Sequence, residues 1–315
     1  MTNQAIIDEI RRLKAERNAC ILAHYYTIPE IQDLADHVGD SLALARIATK
    51  LEEPIVVMCG VHFMAETVKM LAPDKTVLEP APDAGCSLAD SCDPVEFEAF
   101  VKARPGHTVI SYVNTSAAVK ALTDIVVTSG NACEIVGSMP ADEKIIFGPD
   151  RNLGSYINSI TGRDMVLWDG SCHVHEQFSL DAILKLKAEH PDALLLVHPE
   201  CPRPVRLVAD KIGSTAALLK FAVASDAREF IVATESGILH KMQNACPDKL
   251  FIPAPPENGG GCACNNCSYM KLNTLERLRD CLRDLAPQVE IDGALAESAR
   301  RPIDRMLDLS AKLGL

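Results

Sequence analysis

A chain of 315 residues is too long for one ordinary domain and suits two or three. Hydrophobic residues make up 48% but aromatics only 4%, an aliphatic mix that fits the parallel strands of an α/β protein. The formal net charge of −12, without a basic run, argues against nucleic-acid or anionic-membrane partners, and no apolar stretch approaches the roughly 20 residues of a membrane span.

The opening string MTNQAIIDEIRRLKAERN predicts a charged amphipathic helix and not a signal peptide, so the expected location is cytoplasmic. In that reducing compartment the 12 cysteines are not expected to form a disulfide framework, and metal ligation becomes the leading reading for some of them. Single cysteines in apolar strands, such as Cys20 and Cys59, read as small buried hydrophobes.

Three segments then repeat a pattern: CILAHYYTIPEIQDLADHVGDSLALARIA (20–48), VISYVNTSAAVKALTDIVVTSGNACEIV (109–136) and LLLVHPECPRPVRLVADKIGSTAALLKFA (194–222). Each predicts a short strand, a polar turn, a helix, a small polar cluster and a second helix. Their continuations align as well. IVVMCGVHFMAETVKM, IIFGPDRNLGSYI and FIVATESGILHKM read as strand, polar loop and helix, and each leads through another apolar run to a cysteine: Cys86, Cys172, Cys267. The cysteines lie 86 and 95 positions apart. Strand–helix alternation predicts parallel sheets, and the expected division is 1–88, 89–174 and 175–269 for three α/β/α repeats. Residues 270–315 read as two helices packing on the first repeat.

Polar residues keep the same register. An alternating pair follows the first strand of each unit: His24 and Tyr26, Tyr112 and Asn114, His198 and Glu200. Alternation puts both members of a pair on one side of an extended segment. About fifteen residues later comes a hydroxyl at a helix start, Ser41, Ser129, and Ser214 or Thr215, suited to capping, to anion binding or to both. Ligands of open α/β sheets bind beyond the carboxyl ends of the strands. Three units around a pseudo-threefold axis would aim these side chains and three cysteines at one central cavity. Three thiolates suit a [4Fe–4S] cluster with one iron left free for substrate. At this point zinc, or no metal at all, remains an alternative, since the string GGGCACNNCSYM with Cys262, Cys264 and Cys267 also resembles half of a zinc site.

The strings AHYYTIPEIQDLAD, GVHFMAETVKML, AGCSLADSC, YVNTSAAVKA, WDGSCHVHEQF, VHPECP, ADKIGSTAAL and NCSYMKLNTLE, in this order, resemble the quinolinate synthase family over essentially the whole chain. The resemblance implies three α/β/α domains around a pseudo-threefold axis and a [4Fe–4S] cluster on Cys86, Cys172 and Cys267. It implies condensation of iminoaspartate with dihydroxyacetone phosphate to quinolinate on the path to NAD, with L-aspartate oxidase as functional partner. Tyr26 and Glu200 match the family's catalytic residues. His24 and His198 match groups that position substrate, Tyr112 and Asn114 the carboxylate end, and Ser41, Ser129, Ser214 and Thr215 the anion-binding hydroxyls. His175 matches a histidine near the cluster, next to metal ligand or substrate.

One string departs from the family. Some members carry C-x-x-C-x-x-C before the last ligand, whereas this chain has C-x-C-x-x-C, so a redox-pair role for Cys262 or Cys264 is not expected. The stretch 253–261 reads as a loop that closes over the cavity. Trp168 and the histidines His37, His62, His107, His173, His190 and His240 read as packing, turn or surface residues. Competing readings are another iron–sulfur hydro-lyase and a non-catalytic metal carrier.

Overall fold

The structure, a computed structural model, describes residues 2–256 and 265–315. Among them twelve strands form three four-stranded sheets. The first sheet holds β1 (Ala19–His24), β2 (His37–Gly39), β3 (Ile55–Cys59) and β4 (Thr76–Leu78). The second holds β5 (Thr108–Tyr112), β6 (Ile125–Val127), β7 (Ile145–Gly148) and β8 (Val166–Leu167). The third holds β9 (Leu194–Val197), β10 (Lys211–Ile212), β11 (Glu229–Ala233) and β12 (Leu250–Pro253). Every neighbouring pair is parallel, and the strand order is the same in each: second, first, third, fourth. The fold is therefore α/β with three repeated units. The central strands are buried along nearly their whole length, which is why they read as unbroken aliphatic runs.

One device fixes the register of all three units. Asp36, Asp124 and Asp210 sit just before β2, β6 and β10. Each carboxylate accepts a hydrogen bond from a backbone N–H fifteen residues earlier, at Ile21, Val109 and Leu195 (2.8, 2.8 and 2.7 Å). Each backbone N–H of the same aspartates donates in return to the carbonyl of that residue, at 2.9 Å in all three cases. Superposing the units on these aspartates makes His24, Tyr112 and His198 equivalent, then Tyr26, Asn114 and Glu200, then Ser41, Ser129 and Thr215. Ser214 falls in line with Asp40 and Thr128.

Thr2 caps the N-terminal helix Asn3–Arg17 by accepting from Ala5 N, and Asn18 ends it in the left-handed conformation (φ 49°). Its stripe Ile6, Ile10 and Leu13 meets Leu275, Leu278 and Leu282 of the helix Leu275–Asp284. The last helix, Gly293–Lys312, lies across β6 and the helices Ala117–Lys120 and His62–Leu71. No helix among the described residues is long and apolar enough to cross a membrane.

Candidate active site

The first strands of the units end in turns that carry the paired polar residues. In the first unit Thr27 Oγ1 donates to the His24 carbonyl at 2.9 Å, and in the second Thr115 Oγ1 donates to the Tyr112 carbonyl at 3.1 Å. The turns also orient the imidazoles. His24 Nδ1 accepts from the Tyr26 backbone N–H at 3.2 Å, and His198 Nδ1 from that of Glu200 at 3.4 Å. An accepting Nδ1 leaves the proton of the neutral ring on Nε2. Burial pushes both histidines down to about 3, so both are neutral at pH 7.

These pairs line one cavity: His24 and Tyr26, Tyr112 and Asn114, His198 and Glu200. Ser41, Ser129 and Thr215 line it too, as do His175 and the cysteines Cys86, Cys172 and Cys267. Ser214 does not. It caps the helix Thr215–Ala224, its Oγ accepting from Ala217 N at 3.3 Å. The register set by the aspartates explains the split, because Thr215 and not Ser214 is the counterpart of Ser41 and Ser129.

A chain of contacts crosses the cavity between units. Tyr26 Oη lies 2.7 Å from Thr234 Oγ1 and 2.9 Å from Thr215 Oγ1. Thr234 Oγ1 is 2.9 Å from His175 Nε2. His175 Nδ1 is 3.0 Å from Glu200 Oε2, close enough for ion pairing though off the line of a hydrogen bond. Glu200 Oε1 accepts from Tyr112 Oη at 2.6 Å. Burial opposes ionisation of Glu200, but the imidazoles of His175 and His198 and the Tyr112 hydroxyl hold it down to about 2. Burial drives Tyr26 the other way, well above the usual tyrosine value, against the pull of its threonine bonds. At neutral pH the site thus holds a neutral phenol and a buried carboxylate at the two ends of one chain of contacts.

The cysteine loops meet at the same cavity. Cys86 and Cys172 each stand at the start of a short helix, Ser87–Asp90 and His173–Glu176, and Cys267 precedes the turn Met270–Leu272. His173, expected as a packing, turn or surface residue, ties two of these loops: its Nδ1 lies 2.6 Å from Ser87 Oγ, and its ring meets Tyr269 edge-on. Two units support their cysteine with a buried carboxylate placed two residues past the third strand. Asp150 accepts from the Cys172 backbone N–H at 3.3 Å, and Glu235 from that of Cys267 at 3.0 Å. The first unit has Val61 at this position. Lys271 locks the last loop, pairing with Glu235 at 2.9 Å and donating to the Tyr26 carbonyl at 2.6 Å.

Burial raises all three thiols, so they stay protonated unless a cation draws them into the thiolate form. One soft donor from each unit, facing a common cavity, fits a metal or a cluster. A second donor set overlaps it: the ligand atoms of Cys172, His175 and Glu200 lie within 4.8 Å of one another. The loop expected to close over the cavity lies, from Glu257 on, outside the described residues, as do Cys262 and Cys264.

Sequence reasoning missed Thr234, Glu235, Asp150, Asp40 and Lys271. Asp150 and Glu235 had a signal, their shared distance from the end of the third strand. Asp40 and Ser214 share the place before the helix-start hydroxyl. Thr234 and Lys271 had none, because their partners are distant in the chain.

Three like-built α/β units that pool cysteines, imidazoles and a buried carboxylate in one cavity define an enzyme with a centre suited to a metal or cluster. The model of the family described as Quinolinate synthetase A protein matches residues 8–308. The chain is 56% identical over 302 residues to the quinolinate synthase of Synechococcus sp., covering 96% of this chain and 94% of that one. The quinolinate synthase of Microcystis aeruginosa is 55% identical over 301 residues, covering 96% and 94%. That of Chloroherpeton thalassium is 53% identical over 305 residues, covering 97% and 94%. The chain belongs to the quinolinate synthetase A family, and it is an enzyme of NAD biosynthesis.

Proposed function

We propose that this enzyme condenses iminoaspartate with dihydroxyacetone phosphate to quinolinate, releasing phosphate and two waters, in the cytoplasm. L-aspartate oxidase would supply the imine. The observation that carries the reading is the chain of contacts from Tyr26 through Thr234 and His175 to Glu200, set over a cavity to which each unit brings one cysteine. Cys86, Cys172 and Cys267 would hold a [4Fe–4S] cluster, which when bound supplies a Lewis-acidic iron with no protein thiolate.

The protein's own groups divide the remaining work. The opposite shifts leave a protonated phenol and an ionised carboxylate facing one cavity at neutral pH. Tyr26, neutral at its phenol oxygen, gives a proton to a departing oxygen, and Glu200, ionised, takes one from carbon or nitrogen. Thr234, hydrogen-bonded to Tyr26, and His175, 3.0 Å from Glu200, stand between the two groups. His24 and His198 each offer a neutral Nε2–H to a substrate hydroxyl or phosphate oxygen. Tyr112 and Asn114 hold a carboxylate. Ser41, Ser129 and Thr215 stand at or near helix starts, where hydroxyls and free N–H groups bind carboxylate or phosphate despite the protein's negative charge, and Ser214 supports Thr215 from the cap.

The test is anaerobic. About four irons and four sulfides per chain, with quinolinate formed from the two substrates, are expected. A cluster-replete protein that forms no quinolinate would sink the reading. A single metal ion per chain, lost on changing His175, would favour instead a mononuclear site on Cys172, His175 and Glu200.

A further inference from the structure

Four residues before each of the register aspartates stands a long side chain with N–H donors: Gln32, Lys120 and Arg206. Their identities differ, yet all three are buried. Gln32 Nε2 donates to the carbonyls of Tyr25 and Thr27 at 2.9 and 3.0 Å, the two residues flanking Tyr26. Lys120 Nζ donates to the carbonyls of Val113, at 2.9 Å, and Thr115, the two residues flanking Asn114. Arg206 Nε donates to the carbonyl of Cys201, which follows Glu200, at 2.9 Å, and its guanidinium also reaches Ser155 Oγ at 3.1 Å.

We infer that Gln32, Lys120 and Arg206 are positioning residues that grip the backbone beside Tyr26, Asn114 and Glu200 and so hold the three turns at the angle the cavity requires. The inference rests on the proposed substrate-facing roles of those three residues. The physical need is plain. A turn at a strand end leaves carbonyls without a ladder partner, and inside the protein they must find another donor. A donor on the following helix satisfies two of them at once in the first and second units and one in the third, and ties the turn to a rigid element. Gln32 goes further, since its Nε2 also lies 3.0 Å from the Gly237 carbonyl and so stitches the first unit's turn to the third unit. Three different residue types in one structural position share what the position asks for, N–H groups on a long arm, and nothing else.

Lys120 is the sharpest place to test this, because no ion pair with it is present among the described residues and its hydrogen bonds go to two carbonyls, beside a cation–π contact with the Phe63 ring at 5.4 Å. Lys120→Met keeps the length and removes the donors, while Lys120→Gln installs the amide that the first unit already uses. With cluster-replete protein, Lys120→Met is expected to raise KM and lower kcat, with kcat/KM down by about tenfold or more, the worth of one to two lost hydrogen bonds. Iron content and cluster absorbance should stay at the parent level. Amide hydrogen exchange at Val113 and Thr115 should quicken by a similar factor. Lys120→Gln should recover most of both losses. Parent-like exchange at 113–115 in Lys120→Met, or equal damage from Met and Gln, would overturn the inference. Parent protein that makes no quinolinate would instead sink the proposed function, and the exchange measurement would still decide the grip. If Lys120→Met does not fold, Gln32→Leu puts the same question to the turn of Tyr26.

Discussion

The two ends of each first strand tell opposite stories. Near its start, all three units use an aspartate, with the same pair of hydrogen bonds and nearly the same distances. At its far end the same three positions hold His24, Tyr112 and His198, and two residues on stand Tyr26, Asn114 and Glu200. Repetition builds the frame, and divergence at the cavity provides an acid, an amide and a carboxylate where a strict repeat would provide three copies of one group. The cysteines lie between these extremes. All three units supply one, but only the second and third hold it with a carboxylate at the backbone N–H.

The sharpest test of the divergent end is loss of a cysteine. Changing Cys86, Cys172 or Cys267 to Ser should abolish cluster and activity together, read by iron and sulfide content alongside quinolinate formation. A variant that keeps the full cluster would remove that residue from the ligand set. Next in size, Tyr26→Phe should keep the cluster and lose about a hundredfold or more in kcat, the usual worth of a placed acid. Thr234→Val, which cuts the path between Tyr26 and His175, should lose less than Tyr26→Phe and leave KM nearly unchanged. A rate near that of the parent would show that the proton travels by another route.

At the frame end the effects should be on stability and not on rate. Asp124→Ala removes a charged acceptor from a partly buried strand N–H and is expected to cost about 1.5–3 kcal/mol. The unfolding midpoint should drop while kcat per cluster stays constant. A fall in kcat at unchanged stability would break the division between frame and site. The remaining expected effect is on pH dependence. Burial holds His24 near 3 in the folded chain, against 6.5 as its ordinary value. Between those two values the unfolded chain binds a proton that the folded chain does not, so stability is full above pH 6.5 and declines as pH falls. The melting temperature of the parent should therefore fall more steeply from pH 7 to pH 4 than that of His24→Gln.

The three-unit fold was legible because its signals are periodic: aliphatic strands, helix starts, and polar pairs in register. The paired residues and the cysteines could be placed for the same reason. What stayed hidden has two physical causes. Gln32, Lys120 and Arg206 differ in charge and shape, so an aligned column of them looks like noise until the carbonyls they share come into view. Thr234, Lys271 and the bond between Ser87 and His173 join distant parts of the chain, and no local pattern announces such partners. The choice between Ser214 and Thr215 needed only the register aspartates, which stood unremarked within the aligned segments.

The bonds of the register aspartates also imply an order of assembly. Each closes a loop of fifteen residues, so each unit can set its frame from contacts close in sequence, and such contacts form early. The cavity's own bonds span far more chain: 88 residues from Tyr112 to Glu200, 189 from Tyr26 to Thr215 and 208 from Tyr26 to Thr234. They close only when the third unit docks against the other two. A nascent chain that emerges unit by unit would therefore set the register of its sheets before the bonds of the cavity can close.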